Sequence, residues 1–433
     1  MKERIAIISG YRSAMGKAGG VFKNLTAHDL GAKIAKEVLI RSNIDVNSID
    51  EVIVGNVSQP AEAANIARVI ALKAGVPENV PAFTVHRNCA SGMEAITTAA
   101  SKINNGEAEI ILAGGVESMS NIPLIFNKKM VGFFANLVKA KKLSQKITTF
   151  LSFRPSFLAP IIGLQQGLTD PISGLIMGLT AENIANDFKI SRKEQDEFAL
   201  KSHQKAAKAM ENGIFAEEII PVFNDDKNSM MIEEDEGVRK NQSIEDLAKL
   251  KPYFNKISGT VTVGNSSQVT DGACFVLLMS EKKAKQLQKK VGFEILGYLT
   301  DFAYAGLDPS RMGLGPVFAT KKLLDKAGKK LSDIDLFEIN EAFAAQVIGC
   351  QKAFADKDFC KKHFGLEKSI GEIDDNILNV NGGGVALGHP VGMSGTRIIV
   401  HILRELKRRK KKTGLATLCI GGGQGGACLV EVN

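Results

Sequence analysis

The 433-residue chain has no tryptophan and only four tyrosines, so it has little with which to build a base-stacking surface for nucleic acid. Its six cysteines (Cys89, Cys274, Cys350, Cys360, Cys419, Cys428) form no CxxC pair and no zinc-ligand spacing. In a chain of this length that usage fits reduced thiols in the cytoplasm better than a disulfide framework, and no metal is expected. No stretch approaches the roughly 20 uninterrupted apolar residues of a membrane span. The start, Met1-Lys2-Glu3-Arg4, is too charged for a signal peptide, and Ile5–Gly10 reads as a first buried strand. Acid is missing locally as well: from Ser118 to Thr169 there is no Asp or Glu. Lys128, Lys129, Lys139, Lys141, Lys142, Lys146 and Arg154 stand there among Phe126, Phe133, Phe134, Phe150, Phe153 and Phe157.

What is present is an ordinary globular balance, 44% hydrophobic and 24% charged, in a chain long enough for two or three domains. The net charge of +8 fits an anionic partner but does not choose among nucleic acid, membrane and a phosphate-bearing substrate. Glu51–Gly55 and Glu109–Gly115 look like buried strands, with a helix between them from Ala90 to Asn104. The same order returns late, with strands at Asp335–Ile339 and Leu415–Gly422 and a helix from Ser394 to Arg409. We read an α/β fold built by internal duplication, with Cys89 and His389 each preceding a helix near the shared seam. The middle, about Asn121 to Ile257, is an excursion containing a Ser191-capped helix and a polar loop from Asp225 to Glu245. The terminal run Arg404 to Lys412 reads as a solvated helix end.

Three small-residue settings carry the chemistry: Asn88-Cys89-Ala90-Ser91-Gly92, Gly388-His389-Pro390 and Cys419-Ile420-Gly421. A lone cysteine is usually a packing residue. A thiol, an imidazole able to take its proton, and a second thiol among exposed backbone N–H groups together suit acyl transfer through a thioester. The glycines after Cys419 lack the Gly-Lys-Ser/Thr ending of a phosphate loop. Asn340, in Asn340-Glu341-Ala342-Phe343, either caps a turn or holds a water against a substrate carbonyl.

Together these motifs resemble the thiolase family over essentially the whole chain. Met177-Gly178-Leu179-Thr180-Ala181-Glu182-Asn183 is similar to its loop-domain motif, and Gly264-Asn265-Ser266-Ser267 to its coenzyme A-contacting loop. The resemblance implies a duplicated five-layered α/β fold. Residues 1–120 plus 258–282 would form the nucleophile half, 121–257 a loop domain, and 283–433 the acid/base half. It implies Cys89 as acylated nucleophile, His389 as its base and Cys419 as second acid/base. Asn340 would hold an enolate through water, and the N–H groups of Cys89 and Gly421 an oxyanion. Met177, Ser266, Ser267 and Phe343 would face coenzyme A, which is a substrate; no bound cofactor or metal is implied. A homodimer or homotetramer follows, with a hydratase/dehydrogenase subunit as a further partner.

Ile176 stands where short-chain biosynthetic members often carry His, and 130–170 is longer and more apolar than a compact loop needs. Both features favour a broad-chain 3-ketoacyl-CoA thiolase of fatty-acid β-oxidation over an acetoacetyl-CoA enzyme. For 128–157 there are two readings: a loop lining the acyl tunnel, or a surface for anionic lipid or a partner subunit. A condensing ketosynthase would want a second His at position 340, and a non-catalytic lipid carrier would not need Cys89.

Overall fold

The computed structural model describes residues 3–225, 227 and 229–433; Met1, Lys2 and positions 226 and 228 of the expected segments lie outside them. The strands that carry the architecture are β1 (Ile5–Arg12), β2 (Glu51–Gly55), β3 (Ala82–Val85), β4 (Ile110–Ser118), β5 (Thr270–Ser280), β6 (Gly297–Gly306), β7 (Leu336–Ile339), β8 (Thr413–Ile420) and β9 (Gln424–Glu431). With the two-residue strand Gly16–Lys17 they form one ten-stranded sheet in the order β7-β8-β9-β6-β1-β5-β4-β2-β3.

The duplication is written in this order. Outward from the middle, one half runs β1-β5-β4-β2-β3, antiparallel twice and then parallel twice. The other runs β6-β9-β8-β7 with the same directions, and a parallel bridge from Phe337 to Leu378 supplies the fifth place. The halves join where Ile5–Ile7 pairs antiparallel with Gly297–Leu299.

The principal helices are α1 (Ala27–Ser42), α2 (Ser91–Asn105), α3 (Lys128–Lys139), α4 (Leu143–Leu151), α5 (Gly315–Ala327) and α6 (Ser394–Arg408). α1 packs on β1, β4 and β5, and α5 packs on β6, β8 and β9. α2 and α6 pack on each other, and α6 touches strands of both halves. The result is five layers, with α2 and α6 between the sheet halves. Burial explains why β4 and β8 read as largely apolar runs, because every one of their residues is buried. It explains α6 too, whose Thr396, Arg397, His401 and Glu405 are all buried with its apolar side chains.

The middle of the chain departs from the sequence reading in two places. The 128–157 stretch is a pair of helices, α3 and α4, folded around Phe133, whose ring meets those of Phe134, Phe150, Phe153 and Phe157. The stretch read as polar loop contains Met231–Ile232, which pairs with Val222–Phe223, and the start of a helix at Ile244. Buried Arg12 anchors this region by donating to Glu218 at 2.7 Å and to both Asp235 oxygens at 2.7 and 2.9 Å. The terminal basic run is exposed from Arg408 to Lys412, as expected, and several of its cations also find partners. Arg404 donates to the Gly10 carbonyl, and Lys407, Arg408 and Lys411 pair with Glu294, Glu217 and Asp335.

Candidate active site

Cys89 lies in the crossover between β3 and α2, and His389 lies in the matching crossover between Leu378 and α6. The local sequence explains the geometry. Asn88 adopts φ 44°, a left-handed conformation that Asn tolerates, and its side-chain amide donates to the Gly421 carbonyl at 2.7 Å. Ser91 Oγ donates to the Asn88 carbonyl at 2.7 Å and closes the turn. A Cβ on Gly92 would stand 2.5 Å from Thr396 Oγ1 and 2.8 Å from the Gly392 carbonyl oxygen. Only glycine lets the starts of the two central helices approach this closely.

Cys89 lies on a cleft of about 930 Å³ with Asn88, Met177, Val391, Gly421 and Gln424, and the far wall is the 160–172 segment. Burial pushes the Cys89 thiol up, the backbone N–H groups of Gly421 and Cys89 pull it down, and the charge of Glu117 pushes it up. The thiol therefore needs a base. His389 is 6% exposed and is not among the cleft-lining residues, although Val391, two positions on, is. Burial, with Arg397 adding to it, lowers its imidazole to about 4, so the ring is neutral at neutral pH. Its Nδ1 stands 2.6 Å from Ser394 Oγ, which donates to the Pro390 carbonyl at 3.1 Å. A hydroxyl with its one proton so used accepts from Nδ1–H, which leaves the open lone pair on Nε2. Nε2 has no hydrogen-bond partner among the described residues.

Cys419 and Asn340 come from neighbouring parallel strands, β8 and the end of β7, in register where Ile339 faces Thr417. Cys419 is fully buried, and burial holds its thiol well above the ordinary value, with Cys89 near enough to add to the shift. A thiol so held is neutral at neutral pH. Asn340 is 1% exposed, yet among the described residues neither its Oδ1 nor its Nδ2 has a partner. A buried primary amide left open is costly and aimed at something else.

Among the expected coenzyme A contacts, Met177 lines the cleft, whereas Ser266, Ser267 and Phe343 do not. Ser266 donates its hydroxyl to the Thr262 carbonyl at 2.6 Å and bridges to Phe343. Ser267 is half-buried, and its backbone N–H donates to the Ala342 carbonyl at 2.9 Å. Phe343 meets Phe254, which packs over Gly178 beside Met177. The tunnel-lining reading of 128–157 is corrected. The residues that line the cleft are Met119, Ile122 and 160–172, because α3 and α4 turn their inward side chains onto Phe133.

Two residues went unnoticed in the sequence, Asn56 and Glu117. Asn56 follows β2 as Asn340 follows β7, and Glu117 is penultimate in β4 as Cys419 is in β8. The duplication was the signal that could have found them.

Sequence models of the thiolase N-terminal and C-terminal domains match residues 5–282 and 293–432. A relative described as a probable acetyl-CoA acyltransferase from Staphylococcus epidermidis is 42% identical over 99% of this chain and 98% of its own. The crystal structure of the Bacillus anthracis acetyl-CoA acetyltransferase superposes with a TM-score of 0.86 at 38% identity, covering 99% of both chains. Human mitochondrial 3-ketoacyl-CoA thiolase in complex with CoA gives 0.84 at 36% identity, covering 100% of this chain and 98% of that one. This chain is an acyltransferase and belongs to the thiolase family.

Proposed function

We propose that the chain is a 3-ketoacyl-CoA thiolase that cleaves substrates of several chain lengths with coenzyme A, in cytoplasmic fatty-acid β-oxidation. In this reading the Cys89 sulfur, its proton taken by His389 Nε2, attacks the 3-keto carbon. The N–H groups of Cys89 and Gly421 hold the resulting oxyanion. The C2–C3 bond breaks, the electron pair leaves on acetyl-CoA as an enolate, and Cys419 protonates C2. His389 and a water on Asn340 stabilise the enolate oxygen. The thiol of coenzyme A, giving its proton to the Cys419 thiolate, then takes the acyl group from Cys89, and the released Cys89 sulfur recovers its proton from His389. Ser266, Ser267, Met177 and Phe343 face coenzyme A, with Ser267 toward the pantetheine. Residues 1–120 with 258–282 and 283–433 act as the two halves, 121–257 as the loop domain, and the enzyme works as a homodimer or homotetramer.

The observation that carries the chain-length reading is the cleft itself. Ile161, Ile162, Leu164, Leu168 and Ile172 wall it opposite Cys89, an apolar lining that a two-carbon acyl group does not use. Each methylene buried there is worth about 0.8 kcal/mol. Thiolysis rates across 3-ketoacyl-CoAs of four to sixteen carbons test this. We expect kcat/KM to rise at least about tenfold from the four-carbon substrate to the middle lengths. A maximum at four carbons would instead favour acetoacetyl-CoA chemistry.

The hairpin of α3 and α4 supports a second part of the reading, peripheral attachment to an anionic bilayer. Leu143, Ile147 and Leu151 lie one turn apart on α4 and are 74%, 51% and 75% exposed. Val131, Phe134 and Val138 form a matching exposed stripe on α3. The cations of 128–154 are all exposed and, among the described residues, none pairs with a carboxylate. Exposed apolar stripes ringed by unpaired cations match the headgroup boundary of an acidic membrane. Because the chain has no tryptophan, Phe150→Trp places a single indole on this face. Its emission should shift to the blue with phosphatidylglycerol vesicles, not with phosphatidylcholine alone, and revert in high salt. Lys139, Lys141 and Lys142 changed together to Gln should weaken partitioning at least about tenfold. An indole unmoved by acidic vesicles at low salt would exclude the membrane and leave a protein partner, such as a hydratase/dehydrogenase subunit, as the occupant.

A further inference from the structure

Glu117 is fully buried at the end of β4, and among the described residues the groups that donate to its carboxylate are neutral backbone N–H groups and the Asn56 and Ser58 side chains. Oε1 accepts from the Ser58 N–H at 2.9 Å and from Asn56 Nδ2 at 3.4 Å. Oε2 accepts from the Val57 N–H at 3.1 Å and the Gly392 N–H at 3.0 Å. No Lys or Arg among the described residues pairs with it. A carboxylate buried with no cation is expensive to keep, and a surface turn would not need one.

Its donors come from the two edges of the catalytic cleft. Val57 and Ser58 line the cleft beside Cys89. Gly392 ends the stretch His389-Pro390-Val391-Gly392, in which Val391 also lines the cleft. Gly392 is wedged in place: a Cβ there would stand 2.5 Å from the Val116 carbonyl oxygen and 2.8 Å from Glu117 Oε2. The carboxylate is thus the hinge pin between the wall beside the nucleophile and the turn that carries the base.

The duplication gives this arrangement its meaning. In the second half, Asn340 stands open and Cys419 is free to move a proton. In the first half, the equivalent Asn56 donates to the Val116 carbonyl at 2.9 Å and to Glu117. One copy of the same pair faces the substrate; the other is turned into a brace.

We propose that Glu117 is a positioning residue that holds the His389 turn at working distance from Cys89. The proposal rests on His389 serving as base for Cys89. Glu117→Gln is close in size but replaces one acceptor oxygen with a donor. Donors already stand on both sides, so the amide loses either Ser58 and Asn56 or Val57 and Gly392. A turn displaced by a fraction of an ångström should lower kcat about 10- to 100-fold, with KM held within about twofold. Alkylation of Cys89 by iodoacetamide should persist and reach its plateau at lower pH, since the neighbouring charge that disfavours the thiolate is gone. Unchanged kcat in Glu117→Gln would overturn the proposal. So would a loss carried by KM, or alkylation abolished along with turnover, because either describes general disorder of the site. If Glu117→Gln does not fold, Gly392→Ala presses a methyl group onto the same carboxylate and should give the same split. His389→Ala run alongside separates the premises: if it retains turnover while Glu117→Gln loses it, the base assignment fails instead.

Discussion

Cys89→Ala should lower the rate of CoA-dependent cleavage by at least about 10⁴-fold while the protein stays folded. The size of the effect follows from what the sulfur does, since without it there is no covalent acyl carrier and the one-step alternative has no nucleophile. The backbone N–H groups and the cleft survive the change, so substrate should still bind and protect the protein against heat. The fold should tolerate the substitution because Cys89 is only part-buried and Ala fits the turn already built by Asn88, Ser91 and Gly92. Two measurements decide it: steady-state thiolysis, and mass spectrometry of protein quenched with acyl-CoA, which should show an acyl adduct only when Cys89 is present. Turnover close to that of the unsubstituted enzyme would reject Cys89 as the nucleophile.

The parts of the molecule that could be read from sequence are those whose burial is uniform. β2, β4 and β8 are apolar at nearly every position because both faces are covered, and the helices after Cys89 and His389 announced themselves by spacing. The seam was legible for the same reason, since one strand-helix-strand order occurs twice. What stayed hidden depends on partners remote in the chain. Glu117 reads as a polar strand end, because its donors come from 56–58 and from 392. The run from Lys407 to Lys411 is largely exposed, as it read, but its ion pairs stayed hidden because the carboxylates lie at 294, 217 and 335. The 128–157 stretch has helical caps, Asn127 among them, but its length and apolar content spoke first of the tunnel. Its phenylalanines satisfy one another instead, which leaves the cleft to the 160–172 segment.

Cys419→Ser should divide the reaction into a slow part and a spared one. In the proposed mechanism, exchange of an acyl group between a simple acyl-CoA and labelled coenzyme A passes through acylated Cys89 without making or breaking a carbon–carbon bond. It needs the thiol, His389 and the N–H groups, and should fall by less than about tenfold. Cleavage of a 3-ketoacyl-CoA also needs a proton delivered to C2 as the enolate leaves. The Cys419 thiol is neutral because burial, first, and then Cys89 hold it well above its ordinary value. A thiol so placed still gives up a proton far more readily than a serine hydroxyl. Removing that acid should slow cleavage about 10²- to 10⁴-fold. Ser is nearly the size of Cys, and the site is fully buried, so the added cost is of the order of an unmade hydrogen bond, about 1–3 kcal/mol, and not loss of the fold. Equal losses in exchange and in cleavage would mean that Cys419 supports the acylation step itself, and the proton route to C2 would have to run through His389.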